Sequence, residues 1–193
     1  IPHFTYGAKE ACKILNALPS EKLILLDKNI PGIEGNYSAV YENFEKDIYT
    51  ALVEAKEVLG KYHTLKIIFP KESYLPKEIL YGFTRFCIQF SINYNIVSAV
   101  EYNQIRKGDA YINLMEDDLI TLIDNITSLN YVLGRDIGLI SYNETPIKRI
   151  LLSGITTIST NFKQMGEMAA KVIAESHTMQ LEIPFQLKLR ESL

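Results

Sequence analysis

Short, largely apolar runs alternate with amphipathic stretches of helical period along this chain. That rhythm restricts the fold more than any other feature. The runs at 23–26, 65–69, 96–100, 110–114 and 137–142 are apolar at odd and even positions alike. Such runs read as strands buried on both faces. Between them, apolar residues recur three and four apart: Ala8, Ala11, Leu15 and Leu18; Phe44, Ile48, Leu52, Ala55 and Leu59; Ile79, Phe83, Phe86 and Phe90; and a stripe through 117–129. These read as helices. Ser38–Tyr41 adds a short strand after a loop marked by Pro31, Gly32 and Gly35. Strands buried on both faces need helices above and below, and parallel neighbours need crossovers to join them. The expected class is α/β with parallel sheets covered by helices.

After Pro146 the rhythm changes. A short extended segment at 156–158 precedes Asn161, which reads as a helix N-cap with Gln164 three residues on. The following helix is expected to bury Phe162, Met165, Ala169, Val172 and Ile173. Phe185, Leu187 and Leu189 then alternate with Gln186, Lys188 and Arg190, the period of a half-buried strand.

Composition removes several function classes. The chain has 193 residues, 47% of them hydrophobic, enough for one generous domain or two small lobes without disulfide or metal support. Lys+Arg 20 against Asp+Glu 23 leaves a net charge of -3, and no basic run forms a footprint for nucleic acid. No apolar run approaches the roughly 20 residues of a membrane helix, and no export signal is visible. Cys12 and Cys87 fall on apolar helix faces, as buried reduced thiols in a reducing, cytoplasmic setting would.

Glycine-rich phosphate loops, nucleophile elbows and zinc motifs are missing. His3, His63 and His177 stand isolated, with no metal-ligand spacing, so neither cofactor nor metal is expected. Polar residues do gather where strands end. Glu116-Asp117-Asp118 follows the run ending at Leu114. In parallel α/β sheets such positions hold Mg²⁺, accept protons or bind sugar hydroxyls; alternatively Asp117 caps the next helix. A phospho-acceptor receiver would need a further Asp near 156–159, where Thr156-Thr157-Ile158-Ser159 stands. Tyr142-Asn143-Glu144-Thr145-Pro146 follows another run, as a turn or as a polar clamp. Asp27 ends a third. Three polar strand ends suggest a cleft for a small polar ligand such as a sugar.

Several segments then follow in a recognisable order: Arg135 to Thr145, Gly154 to Ile158, Met165 to Ala170, and Leu189 to Ser192. The series resembles the effector-binding domains of the lactose-repressor/galactose-repressor (LacI/GalR) family. Upstream, the strand ending in Asp27, Val40-Tyr41 before a long helix, and Gly82-Phe83 fit the same pattern. Leu25-Leu26-Asp27-Lys28 and the stretch from Tyr41 to Ile48 resemble, more narrowly, the sensors carried by some gluconate-repressor (GntR) type winged-helix regulators of Bacteroidetes.

The resemblance implies a type I periplasmic-binding-protein fold, with two parallel-sheet lobes joined by three crossing strands and a ligand between them. It puts 1–38 and 146–178 in an N-terminal lobe that is incomplete at its start, and 39–145 and 179–193 in the C-terminal lobe. Carried over position by position, it implies ligand contacts from Asp27, Tyr41, Ser73, Lys77, Glu116, Asn143, Glu144 and Thr160. The sequence departs from the family where an Arg often precedes the Gly-aromatic pair; Ile79 stands there, with Lys77 nearby. Glu116 replaces a frequent Asn, and Asn143 a frequent Asp.

The function that the resemblance implies is that of a non-enzymatic sensor: a homodimer that binds a small polar effector, a sugar or sugar derivative, and touches DNA only through a module upstream of Ile1. Two alternatives carry different expectations. A transport receptor of the same fold would have an export signal upstream. A metal-dependent enzyme would assemble Asp117, Asp118 and Glu144 around an ion.

Overall fold

The computed structural model describes residues 8–71, 75–175 and 177–193. Two sheets carry the chain. The smaller contains β1 (Ile24–Asp27), β2 (Ser38–Tyr41) and β8 (Gln180–Glu182), in the order β1-β2-β8 and all parallel. The larger contains β3 (Thr64–Ile68), β4 (Tyr94–Val97), β5 (Asp109–Asn113), β6 (Gly138–Tyr142), β7 (Thr156–Thr160) and β9 (Phe185–Lys188). Its order is β4-β3-β5-β6-β7-β9, parallel except for β9, which runs antiparallel to β7. The expected parallel α/β class is what the chain adopts.

Period-two alternation divides the small sheet between two helices. Leu25 and Ala39 face α1 (Ala8–Asn16), where Leu15 meets them. Val40 faces α7 (Phe162–Glu175), which contributes Met165, Ala169 and Val172. The large sheet is covered the same way. On one face lie α2 (Phe44–Glu54), the short α3 (Lys56–Leu59) and α4 (Glu78–Gln89), around Ile48, Leu52, Phe83 and Phe86. On the other face, α5 (Glu116–Ser128) seats Leu119, Leu122 and Ile126 against Tyr111 and Leu139. α2 and α4 pack so closely that a Cβ at Gly82 would run into the Glu45 carbonyl. The short α6 (Pro146–Ile150) follows β6.

Among the described residues the chain crosses between the sheets three times. Glu42 and Asn43 lead from β2 into α2, Asn161 leads from β7 into α7, and Ile183-Pro184 leads from β8 into β9. β7 therefore belongs to the large sheet, whereas a boundary at Pro146 assigns it to the smaller lobe. β2 and β8 lie in the small sheet, whereas boundaries at 38/39 and 178/179 leave them almost wholly in the other lobe. Hydrogen-bond partners, not local rhythm, decide sheet membership.

Other local expectations shift too. The single helix from Phe44 to Leu59 is interrupted at Ala55, whose ψ of -5 flattens the turn. Asp117 caps nothing: α5 has Met115 at its N-cap position, and Asp117 sits inside the first turn. Asn161 does cap α7, its Oδ1 accepting from Gln164 N–H at 3.0 Å. Phe162 and Ile173 are exposed on that helix, 50% and 66%. Cys87 is buried, its thiol pushed up to about 12 by burial, while Cys12 is only half-buried. Among the described residues no helix is long and apolar enough to cross a membrane.

Candidate functional site

A cavity of about 140 Å³ opens between the two sheets, beside the first crossing segment. Asp27 and Asn143 supply two of its walls from the carboxyl ends of β1 and β6. Both residues turn the chain with positive φ, 76° and 63°. Asp and Asn tolerate this left-handed conformation better than other side-chain-bearing residues, so each can end its strand abruptly. Glu42, Phe44, Tyr142 and Phe162 complete most of the lining, with Lys28 at the edge. The Lys28 ammonium is held by Glu78, 3.0 Å away.

Glu42 is 6% exposed. Burial pushes its carboxyl up to about 8; the Thr160 hydroxyl opposes the rise, and the Asp27 and Asp47 charges add to it. Asp47 lies behind it on α2, 3% exposed. Burial raises Asp47 to about 6, against the pull of backbone N–H groups from Asn43 and Phe185. The Asn43 N–H donates to Asp47 Oδ2 at 2.9 Å, and Asn43 Oδ1 accepts from Lys46 N–H at 3.2 Å, so the two residues cap α2 reciprocally. Glu42 also faces Thr160 at the second crossing, and Asp47 meets Phe185 after the third. The acidic pair thus touches all three connections between the sheets.

Two hydroxyls beside Glu42 lack good partners. Tyr142 Oη and Thr160 Oγ1 are buried next to its carboxyl, yet neither makes a well-formed hydrogen bond among the described residues. Burial, followed by the neighbouring carboxylates, lifts the Tyr142 phenol far above its ordinary value. Buried polar groups without partners are uncommon, and the Tyr142 ring lines the cavity.

The backbone of Tyr142 and Asn143 is held by Lys148 on α6. Its ammonium is buried and donates to the carbonyls of Tyr142 at 2.8 Å and Asn143 at 2.9 Å, with Glu116 Oε1 2.6 Å away. The loop after β6 is thereby pinned to the start of α5.

Of the residues marked from the sequence, Asp27 and Asn143 line the cavity together. Thr160 stands behind Glu42. Glu116 is placed through Lys148 and does not line the cavity. Tyr41 ends β2 opposite Asp27 but packs against the α1 side of the small sheet. Lys77 is exposed just before α4 and is absent from the lining. Ser73 lies outside the described residues. Glu144 points elsewhere: it accepts from Thr157 Oγ1 and from Arg190 Nη2 at 3.0 Å, lining a separate hollow with Gln186 and Lys188. Burial alone would raise its carboxyl, but Thr157 and Arg190 bring it below the ordinary value.

Glu42 and Lys148 were not singled out from the sequence, and Tyr142 only within the segment that follows its strand. Glu42 had a signal, being an acid at the residue where an apolar strand gives way to a helix. Among the described residues no group of three or more His, Cys, Asp or Glu is arranged to hold a metal ion.

No family model and no curated protein matches the chain. Solved structures do. A transcription regulator-like protein from Staphylococcus haemolyticus superposes with TM-score 0.69 at 15% identity, over 96% of this chain and 80% of its own. The Lac repressor bound to ONPG in its repressed state gives 0.72 at 15%, over 98% and 62%. A periplasmic binding protein/LacI transcriptional regulator from Alkaliphilus metalliredigens, complexed with D-xylulofuranose, gives 0.68 at 13%, over 88% and 69%. The chain thus has the periplasmic-binding-protein-like fold of LacI-type effector-binding domains.

Proposed function

We propose that this chain is the sensor of a bacterial transcription regulator, binding a small polar effector, a sugar or sugar derivative, in the cavity between its sheets. The observation that carries the reading is the cavity's position. It lies at the carboxyl ends of β1 and β6, beside a crossing segment, and is walled by Asp27, Glu42, Tyr142 and Asn143. Its volume, about 140 Å³, is below the roughly 300–1,000 Å³ of drug-sized pockets and suits a small ligand. The D-xylulofuranose complex of a protein with this fold supports a sugar.

An effector acts here only by binding the two arrangements of the lobes with different affinity. The crossings at 42–43, 161 and 183–184 are the hinges of that change. Closure alters a cytoplasmic homodimer and, through it, a DNA-binding module of GntR winged-helix type attached upstream. Asp27, Glu42, Tyr142 and Asn143 contact the effector; Thr160, Glu116 and Lys148 position those groups.

Calorimetric titration with a panel of monosaccharides tests this. Binding of one member, weakened at least about tenfold in Tyr142→Phe or Asn143→Ala, is expected from loss of one good hydrogen bond to ligand. Failure of every sugar to bind removes the carbohydrate reading.

A further inference from the structure

The two lobes are joined by side chains as well as by the crossings. Lys28 directly follows β1 in the small lobe, and Glu78 opens α4 in the large lobe. The Lys28 ammonium donates to Glu78 Oε1 at 3.0 Å. It also lies 6.0 Å from the centroid of the Phe44 ring, at the start of α2 in the large lobe. Lys28 lines the cavity from one lobe, and Leu75 and Pro76, just ahead of α4, line it from the other. The ion pair therefore runs from lobe to lobe along the cavity's edge. Its side chains are 27% and 42% exposed. Burial by itself would raise the Glu78 carboxyl, yet a backbone N–H and Lys28 bring it below the ordinary value.

Among the described residues the other ion pair between the lobes is Lys46 with Glu182, and Asn43 Nδ2 donates to the same carboxylate at 3.4 Å. Asn43 and Lys46 stand at or just after the first crossing, where a hinge turns with little displacement. Lys28 and Glu78 are different. Each is fixed to its own lobe, and neither lies in a crossing segment. A rotation of one lobe against the other pulls them apart. The attraction between charges in water fades within a few ångströms of contact, so the pair favours one arrangement of the lobes over the other.

We propose that Lys28 and Glu78 form an electrostatic strap that sets the balance between closed and open lobes, so that closure weakens as salt rises. This rests on the two-arrangement reading above and not on the effector being a sugar. Lys28 is then a positioning residue: it holds the lobes together at the cavity's edge, its ammonium engaged by Glu78 rather than by ligand. A partly exposed ion pair shifts a closed-to-open ratio by about two- to fivefold, and salt screens it. Such a strap tunes the equilibrium without locking it. Effector exchange breaks and re-forms it.

The test is pulsed electron paramagnetic resonance on the chain without ligand. Nitroxides are placed at Ile14→Cys on α1 and Ile88→Cys on α4, both sites 67% exposed. A Cys12→Ser background leaves only Cys87, which is buried. Two interlobe distances are expected. The longer is expected to gain about two- to fivefold over the shorter in Glu78→Gln and in Lys28→Met. Raising salt from about 0.1 M to about 1 M is expected to move the unsubstituted pair the same way and to leave either variant nearly unchanged. The double exchange of Lys28→Glu with Glu78→Lys is expected to restore the original ratio, which a packing role for either side chain would not do. A ratio that ignores both single variants, or that the double exchange fails to restore, overturns the strap. One unchanging distance in every sample overturns it as well. None of these outcomes bears on the sugar titration, so the effector reading stands or falls separately.

Discussion

The Lys148 ammonium, in a side chain 1% exposed, lies 2.6 Å from the Glu116 carboxylate, whose side chain is 55% exposed. The asymmetry assigns the work. Glu116 is solvated and can lose its partner cheaply. Lys148 also satisfies the Tyr142 and Asn143 carbonyls. Lys148→Met is expected to cost about 2–4 kcal/mol, since it removes the buried ammonium and leaves the two carbonyl acceptors unmet. Glu116→Gln is expected to cost less than about 1 kcal/mol. Urea denaturation of the two variants measures the difference, and equal losses would contradict this division.

Glu144 is spoken for by Arg190 and Thr157, with side chains of the ion pair 17% and 18% exposed. Glu144→Gln is therefore expected to lower stability by about 1–2 kcal/mol. Effector affinity should not change. A loss of affinity without a loss of stability would return Glu144 to the ligand site.

Glu42 and Asp47 make stability depend on pH in an unusual direction. Their folded-state values are raised, to about 8 and about 6. Between about 4.5 and about 8 the native state holds a Glu42 proton that the unfolded chain has released. Stability therefore falls as pH rises across that window, by something on the order of a few kcal/mol. Asp47 adds the same sign between about 4 and about 6. Melting temperature should be higher at mildly acidic than at mildly alkaline pH, and Glu42→Gln should flatten the profile. A melting temperature that climbs from acid to alkali would reverse the assignment.

The two lobes should differ in local stability. The small sheet has three strands and rests on two small clusters, whereas β5 and β6 are flanked on both edges and covered on both faces. Hydrogen exchange at β1 and β2 amides is expected to be faster than at β5 and β6. Equal protection would mean that the small lobe opens only with global unfolding.

Period and burial made most elements legible in advance. Apolar runs such as 110–114 can satisfy both faces only inside a covered sheet, so their strand character followed from sequence. Asp27 and Asn143 were also legible, because a polar residue directly after such a run must stand at a sheet's carboxyl edge. Phe162 and Ile173 misled because helical spacing says which residues share a face, not which face is covered.

Sheet membership was not written locally. β7 looks like any short strand, and only its bonds to β6 and β9 place it in the large sheet. Glu144 and Glu42 show the same division. Each is an acid following a strand, though only Glu144 was marked from the sequence. Arg190, 46 residues further on, neutralises Glu144, while Glu42 meets two more acids and the Tyr142 hydroxyl. The sequence determined the α/β class and where polar groups leave the strands. Tertiary structure decided which of those groups converge on one cavity. A charge is settled by its neighbours in space, and most of those lie far away along the chain.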